Sequence, residues 1–491
     1  MNWTVFILYL FAMTVILIYC LAELGLGFRY FKAKRKESKF PSPAPLFHEY
    51  PMVTVQLPLY NELYVVERLI DAVMAFDYPK DKFEVQLLDD STDESFDIAA
   101  VKVKAYQEKG FLIEHIRRPE RSGFKAGALQ FGLNRASGEF IAIFDADFIP
   151  NPNFLKKTLP WFEDKKIGLV QTKWNHINKK YSLLTRLQAF ALDLHFTVEQ
   201  KGRNYSGYFI NFNGTGGIWR QSCIENAGGW KSDTLTEDLD LSYRAQLKGW
   251  KFKYLEDVLS PAELPVEMNA LKSQQFRWNK GGAETAKKMM GQVLKSSIPL
   301  KTKFFAVSHL LNSTIYIFIL AAALLSVPML VLKNFDFSIN VYRYISGFII
   351  ATIAIVVTYF IAISFNQQSK WNRLIDYIII FPLFLSVSLG LSLHNSIAVL
   401  RGWLGQKTPF VRTPKFNLIS KESSWNSNKY VKGKFNWLTI FEGILAIYFI
   451  FGIMLGFKYH DYGLMFFHVM AAFGFSFIFF STLRHTIISQ R

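Results

Sequence analysis

The chain has 491 residues, of which 51% are hydrophobic and 19% charged, with a formal net charge of +17. This composition excludes an intrinsically disordered chain and a collagen, and two cysteines exclude a disulfide scaffold. The positive mean hydropathy, +0.14, is unusual for a soluble protein, so membrane spans are the first feature to look for.

The first apolar run, Trp3 to Phe28, is interrupted only by Glu23. It is long enough to cross a bilayer, which needs about 20 helical residues, and it lacks the basic start of a cleaved signal peptide. Residues 29–39 then carry six Lys and Arg against one acid. This bias predicts that residues 29–50 form a basic cytosolic linker and that the N-terminus lies on the other side of the membrane.

Residues 51–282 are predicted to form a cytosolic α/β domain, because short β-rich runs alternate with amphipathic helical ones. The predicted strands are Val53–Leu57, Phe83–Leu88, Leu112–Ile116, Phe140–Phe144 and Ile167–Val170, and the predicted helices are Glu62–Phe76, Asp93–Lys109 and Phe124–Ala136. The pattern is typical of a mixed, mostly parallel sheet, whose ligands bind at the carboxyl ends of its strands.

Two of the predicted strands end in carboxylates. One runs into Asp89-Asp90, and the other into Asp145-Ala146-Asp147. Carboxylates at i and i+2 beyond a buried strand suit a hard divalent cation, Mg²⁺ or Mn²⁺, that keeps positions open for diphosphate oxygens. The alternative is a solvated turn, which Asp also favours, and an isolated Asp-x-Asp is more often that.

Thr236-Glu237-Asp238 precedes a predicted helix, Leu239 to Lys248. One interpretation is a helix N-terminus, where Thr caps and acids suit the helix dipole. The other makes one carboxylate a general base. The two are compatible, because a capping acid leaves another free.

Gln274-Gln275-Phe276-Arg277-Trp278 lies shortly before the next apolar run. Arg pairs bidentately with phosphate and an indole stacks on a sugar ring, although a Trp/Arg membrane anchor is the alternative. Lys125, in a glycine-rich segment, is a candidate diphosphate contact, and residues 213–217 are a candidate flexible loop near an acceptor. Neither segment is a dinucleotide fingerprint or a P-loop, and both are equally consistent with plain turns.

Five more apolar runs follow: Phe304–Leu332, Tyr344–Ala362, Leu374–Leu400, Trp437–Phe457 and Leu464–Leu483. Residues 283–303 before them are predicted to be an interfacial amphipathic segment. Loop 401–436 has eight Lys and Arg against one acid, so it is predicted to be cytosolic. Only two full crossings fit between it and the domain.

Leu374–Leu400 contains Asp376, Pro382 and several Ser, so we interpret it as an interfacial, re-entrant or broken helix lining a polar cavity. Five full spans then leave residues 484–491 as a cytosolic tail. The two basic segments, 29–39 and 401–436, account for most of the positive charge. Anionic membrane lipids are therefore the expected partner of that charge, and nucleic acid is not needed to explain it.

The order of the polar motifs now carries a resemblance. Asp90, Asp145-x-Asp147, Thr236-Glu237-Asp238 and Gln274-x-x-Arg277-Trp278 resemble the D, DxD, TED, QxxRW series of processive, inverting family 2 glycosyltransferases, as in cellulose and hyaluronan synthases. The chain is similar to the cellulose-synthase-like A and C branches, which make mannan or glucomannan and the glucan backbone of xyloglucan. The residues behind this include Val170–Trp174, Leu184–Gln188 and Phe209–Thr215.

The resemblance implies a GT-A-type α/β domain embedded between transmembrane helices, with these roles. The nucleoside would be held by Tyr60, Glu62, Asp89 and Asp90. The Mg²⁺ or Mn²⁺ would be bound by Asp145 and Asp147, and the diphosphate would be contacted by Lys125 and Arg277. Asp238 would be the catalytic base, and Gln274 and Trp278 would complete the donor and acceptor site. Residues 407–415 are similar to the FxVTxK gating loop of cellulose synthases, except that Arg412 stands where those have Val.

The expected function is a membrane-bound, inverting, metal-dependent glycosyltransferase that polymerises a β-1,4-linked glycan from UDP-glucose or GDP-mannose and translocates the growing glycan. Two alternatives stay open: a non-processive enzyme that adds one sugar to a lipid acceptor, and a non-catalytic polysaccharide export component. The intact Thr236-Glu237-Asp238 and Arg277-Trp278 speak against the last. The expected location is a bacterial inner membrane rather than the Golgi, with the catalytic domain in the cytosol.

Overall fold

The computed structural model describes residues 2–39, 49–336, 347–365, 369–408, 411–418, 429–430 and 436–488. Four sequence expectations fall partly outside this range: the end of the basic linker 29–50, the start of the predicted span Tyr344–Ala362, much of loop 401–436, and the end of the tail 484–491.

Within the described residues, seven strands form one mixed sheet. They are β1 (Val53–Leu59), β2 (Phe83–Asp89), β3 (Leu112–Ile116), β4 (Phe140–Ile143), β5 (Ile167–His176), β6 (Gly217–Arg220) and β7 (Lys251–Ala262). The strand order is β3-β2-β1-β4-β6-β5-β7. All neighbours are parallel except β6, which runs antiparallel to β4 and β5. The predicted mixed, mostly parallel sheet is confirmed, whereas β6 and β7 were not predicted.

Helices cover both faces of this sheet. The helices of the domain are α2 (Val66–Met74), α3 (Ser95–Gln107), α4 (Phe124–Leu133), α5 (Phe154–Thr158), α6 (Leu183–Leu194), α7 (Gln200–Tyr205), α8 (Gln221–Asn226) and α9 (Glu237–Leu247). One apolar core joins the sheet to α2, α3 and α5, and a second joins it to α4, α8 and α9. Because both faces are buried, a strand such as β4 is apolar throughout, as is usual for parallel strands between two helical layers.

Further helices precede and follow the sheet and its covering helices. They are α1 (Asn2–Lys39), α10 (Met268–Lys295), α11 (Leu300–Leu310), α12 (Ile315–Asp336), α13 (Ile349–Ile363), α14 (Lys370–Trp403), α15 (Trp437–Lys458) and α16 (Met465–Ile488). By length and composition, five helices of the described chain are able to cross a membrane, namely α1, α12, α14, α15 and α16, while α13 is shorter. The protein is therefore an integral membrane protein.

The predicted span Phe304–Leu332 is two helices rather than one. Helix α11 ends at Leu310, and a short 3₁₀ turn, Asn312–Thr314, separates it from α12. Hydropathy averaged over the run does not reveal this break, because the residues on both sides of it are mostly apolar. The segment predicted to be interfacial, 283–303, comprises the end of α10 and the start of α11.

Helix α14 is unbroken over 34 residues, in spite of Pro382, so the broken-helix alternative for Leu374–Leu400 is wrong. Both of its ends contact the domain side of the molecule. Near its start, Asp376 pairs with Arg186 of α6 at 2.8 Å, and at its end the Trp403 carbonyl accepts a hydrogen bond from Lys287 of α10 at 3.0 Å.

Candidate active site

A cleft opens at the carboxyl ends of the strands. Ten of the eleven site residues predicted from the sequence line it: Tyr60, Glu62, Asp90, Lys125, Asp145, Asp147, Asp238, Gln274, Arg277 and Trp278. They follow strands β1, β2 and β4 or lie on the helices α4, α9 and α10, so the fold gathers residues that are distant along the chain. The eleventh, Asp89, does not line the cleft.

Asp89 and Asp90 point in different directions. Asp89 is 1% exposed and accepts hydrogen bonds from the Ser91 backbone N–H at 2.8 Å and from His115 Nε2 at 2.9 Å. Consecutive side chains at the end of a strand face opposite sides of the sheet, so only one of them reaches the cleft. The predicted nucleoside contact of Asp89 is corrected to a structural role under the cleft.

Asp90 is held in place by an arginine that the sequence analysis missed. Arg118 donates from Nε to Asp90 Oδ1 at 3.0 Å and also pairs with Oδ2, which is a bidentate arrangement. The guanidinium of Arg121, also missed, stacks 3.3 Å from the centre of the Tyr60 ring. The basic run that follows β3, residues 117–121, was the available signal, since it too stands at the carboxyl edge of the sheet.

Both carboxylates of the Asp145-x-Asp147 motif face cations of the protein. Lys125 Nζ lies 2.5 Å from Asp145 Oδ1, and Lys415 Nζ lies 2.7 Å from Asp147 Oδ2. Lys125 also donates to the Gly214 carbonyl at 2.8 Å, which ties residues 213–217 to the same point. The site therefore balances two negative charges with two positive ones.

The donor set fits a divalent cation that arrives with diphosphate. Among the described residues no group of three His, Cys, Asp or Glu side chains is placed to hold a metal alone. Asp145 and Asp147 supply two carboxylates, and Mg²⁺ in proteins is commonly bound by one or two carboxylates while substrate phosphates and water fill the other positions. The structure thus favours a shared protein–diphosphate site over a closed protein site.

Asp238 stands in the first turn of α9, beside the metal-site residues. Its Oδ1 accepts the Leu239 backbone N–H at 2.8 Å. Burial and the adjacent Glu237 carboxylate raise the pKa of Asp238 to about 7, which is suitable for a general base. Thr236 occupies the N-cap position but makes no side-chain capping bond, and its hydroxyl instead contacts that of Thr285 at 3.0 Å. Capping by Thr236 is therefore not what this motif does.

Arg277 and Trp278 lie on α10 and face the cleft together with Gln274. Arg277 donates from Nη2 to Thr413 Oγ1 at 2.7 Å. Helix α10 packs along α14, so it connects the cleft to the helices outside the domain. This position supports the phosphate and acceptor interpretations of the motif over a simple interfacial anchor.

Residues 411–418, called here the cleft loop, cross the opening. Arg412 lies 3.6 Å from the Glu62 carboxylate and donates to the Tyr60 carbonyl at 3.0 Å. The backbone N–H groups of Phe416 and Asn417 bond to the two oxygens of Glu263, another missed residue. With the loop in this position the cavity measures about 220 Å³, below the roughly 300–1,000 Å³ of most small-molecule pockets.

The comparison with protein families decides the identity of the domain. Residues 51–281 match the family described as glycosyltransferase like family 2. They are a family 2 glycosyltransferase domain. The glycosyltransferase domain has the GT-A fold. It resembles a mannosyltransferase from Pyrobaculum calidifontis, PcManGT, solved in complex with GDP-Man and Mn²⁺, with a TM-score of 0.52 and 20% identity over 80% of this chain and 100% of that one.

Among curated proteins, the glycosyltransferase domain is similar to plant enzymes. A probable glucomannan 4-beta-mannosyltransferase 7 of Oryza sativa subsp. japonica is 46% identical over 52% of this chain and 45% of that protein. Glucomannan 4-beta-mannosyltransferase 1 of Cyamopsis tetragonoloba is 37% identical over 72% of this chain and 66% of that protein. The chain spans about half the length of several of the curated relatives it matches.

Proposed function

We propose that the protein is a membrane-bound, inverting and processive glycosyltransferase that polymerises a β-1,4-linked mannan, glucomannan or glucan from a sugar nucleotide. The observation that carries this proposal is the meeting of Asp145, Asp147 and Asp238 in one cleft with Arg277 and Trp278. A binding module has no need of a general base, so the arrangement supports transfer rather than binding alone.

The proposed metal site would bind the donor through its diphosphate. Asp145 and Asp147 would hold Mg²⁺ or Mn²⁺ against the diphosphate, where the ion neutralises the charge of the leaving group. Lys125 and Arg277, which face the same part of the cleft, add positive charge to the departing nucleoside diphosphate. Tyr60, Asp90 and the two arginines after β3 are proposed to bind the nucleoside.

Asp238 is the proposed base. It accepts the proton of an acceptor hydroxyl as that oxygen attacks the anomeric carbon from the face opposite the diphosphate, which inverts the carbon. One carboxylate is enough for a single in-line displacement. Trp278 is proposed to stack on the acceptor sugar and to fix the angle of attack.

The names of the relatives favour mannose as the transferred sugar. The curated relatives are named glucomannan 4-beta-mannosyltransferases, and the structural neighbour was solved with GDP-Man and Mn²⁺. GDP-mannose is therefore the proposed donor, with UDP-glucose as the alternative. The relatives come from plants, so they do not support the expectation of a bacterial inner membrane.

The position of the domain relative to the membrane is also proposed. Helix α14 would be roughly 50 Å long at 1.5 Å per residue, and both of its ends contact the domain side, which favours an interfacial position over a crossing. Residues 411–418 contact the cleft, in agreement with a cytosolic loop after α14. A chain made on this side has to leave, so we propose that the spans also translocate the growing glycan.

The test is transfer by vesicles that contain the purified protein. They are incubated with labelled GDP-mannose or UDP-glucose and with Mg²⁺ or Mn²⁺, beside the Asp238→Asn variant. Polymer digested by a β-mannanase or β-1,4-glucanase, and absent with the variant, is expected. A single labelled glycolipid would favour the lipid-acceptor alternative, and nucleotide binding without transfer from any donor would favour the export alternative.

A further inference from the structure

His176 is a buried histidine whose ring has no hydrogen-bond partner among the residues that the structure describes. It ends strand β5 and is 9% exposed, and within the described chain neither ring nitrogen makes a hydrogen bond. Buried polar groups are almost always hydrogen-bonded, so an exception calls for an explanation. His176 lines the cleft described above, which makes a bound ligand the available partner.

Trp174 lies beside it. Side chains two residues apart on a strand share a face, and both line the cleft. The indole is fixed by Phe148 at 5.3 Å, by Phe196 at 5.1 Å and by a 3.5 Å bond from Nε1 to the Thr215 carbonyl. A fixed apolar ring next to an imidazole free to hydrogen-bond combines the two contacts that recognise a sugar, whose faces are apolar and whose rim carries hydroxyls.

The order of strands tells where this pair lies. The proposed nucleoside residues follow β1 and β2, the metal-site aspartates follow β4, and His176 ends β5, which lies beyond β6 on the far side of β4. The pair is therefore separated from the nucleoside end by the diphosphate site. Leu192, on the same wall of the cleft, belongs to α6, and α6 packs on the membrane helices through Phe190, which stacks on Tyr359 of α13 at 5.3 Å.

The charge of the imidazole selects the kind of ligand. Burial lowers the pKa of His176 to about 4. The negative charge of Asp193 opposes this shift, and the positive charges of Lys179 and Lys173 add to it. A neutral imidazole offers one donor and one acceptor. That pattern matches a hydroxyl group and gives no advantage to a phosphate.

We propose that Trp174 and His176 form a saccharide subsite for the acceptor glycan, in which the indole stacks on a sugar unit and the imidazole bonds to its hydroxyls. This proposal rests on the proposed function and adds Trp174 and His176 to the residues that bind the acceptor. It lies between the metal site and the membrane helices, on the path of the product.

The test uses the purified full chain in nanodiscs, titrated with β-1,4-mannohexaose or cellohexaose and, separately, with GDP. His176→Phe keeps an aromatic ring and removes both nitrogens, whereas His176→Gln keeps a donor and an acceptor. We expect the phenylalanine variant to bind the hexasaccharide about tenfold more weakly, the glutamine variant to recover most of that loss, and GDP affinity to stay the same in both. Lys180→Ala is the control, because Lys180 is exposed and lies shortly after the same strand.

Equal hexasaccharide affinity of His176→Phe and the wild type would overturn the subsite, as would a glutamine variant no better than the phenylalanine one. A parallel loss of GDP affinity would show that the substitution disturbs the whole cleft and would also reject the proposal. The proposed function fails separately. If the wild-type protein polymerises sugar but substitutions at residue 176 leave the hexasaccharide affinity unchanged, only the subsite is rejected. If the wild-type protein transfers no sugar, the proposed function is rejected.

Discussion

Lys415 Nζ lies 2.7 Å from Asp147 Oδ2, although 268 residues separate them along the chain. The same carboxylate is proposed to bind the divalent cation. Two cations at one buried carboxylate repel each other strongly, so the ammonium and a metal ion would compete for Asp147. We therefore expect the cleft loop and the proposed metal site to be coupled, with binding of metal and diphosphate favouring withdrawal of Lys415 from its position in this structure.

The first prediction follows from that competition. Lys415→Met is expected to bind Mn²⁺ about three- to tenfold more tightly than the wild type in the absence of nucleotide, because the competing charge is gone. Titration of Mn²⁺ by electron paramagnetic resonance measures this directly. Lys429→Met is the matched control, since Lys429 lies in the same loop region and pairs with the exposed Glu94 instead. Weaker Mn²⁺ binding by Lys415→Met would mean that Lys415 helps to hold the metal site together.

The second prediction concerns pH. Burial and Glu237 raise the pKa of Asp238 to about 7, and a base works only when it is deprotonated, so kcat is expected to fall as the pH drops below about 7. Glu237→Gln removes a neighbouring negative charge and is expected to move this acidic limb to lower pH. The pH profile of kcat at saturating donor and metal measures both. If the acidic limb of the kcat profile is unchanged in Glu237→Gln, the group that titrates near pH 7 is not Asp238.

Much of the sheet could be predicted from local sequence. Strands β1 to β4 are short apolar runs that end in polar residues, and their predicted starts are those observed. Strand β5 was predicted to end at Val170, yet it continues to His176 because it pairs with β7 along its length. That pairing joins residues about 85 positions apart, and no local pattern indicates it.

The candidate site shows the same limit. The aspartates of the cleft were predicted because they follow a strand or start a helix, whereas the roles of Tyr60, Glu62, Gln274, Arg277 and Trp278 came from the family resemblance. The resemblance pointed to residues 407–415, but Glu263 and its contact with the cleft loop could not be predicted, since that contact depends on the fold bringing residues 263 and 416 together. The different positions of Asp89 and Asp90 could have been predicted from the sequence, because the two-residue period of a strand implies that only one of them faces the ligand.

The third prediction uses that pair. Asp90→Asn is expected to weaken nucleoside diphosphate binding at least about tenfold, since it loses the charge that Arg118 holds at the cleft. Asp89→Asn is expected to leave that affinity unchanged and to destabilise the fold by about 1–3 kcal/mol, because its buried bonds to His115 and Ser91 are weakened. Nucleotide titration and denaturant unfolding of both variants separate the two effects. Equal loss of nucleotide affinity in the two variants would restore Asp89 to the site.

The fourth prediction concerns Gly214, which lies next to the base. Its φ is +79°, and a Cβ at this position would lie 3.2 Å from Asp238 Oδ2 and 3.4 Å from Lys125 Nζ. Gly214→Ala is expected to lower kcat about tenfold or more while nucleotide binding is kept, because the methyl group displaces the base.

Gly110→Ala is the matched control: Gly110 has the same φ, and its Cβ would meet nothing within 4 Å. Both variants carry a backbone strain of roughly 1–2 kcal/mol, so a difference in kcat between them reports the contacts of the methyl group with Asp238 and Lys125. Equal kcat in the two variants would show that the position of Asp238 tolerates this displacement and would count against its role as the base.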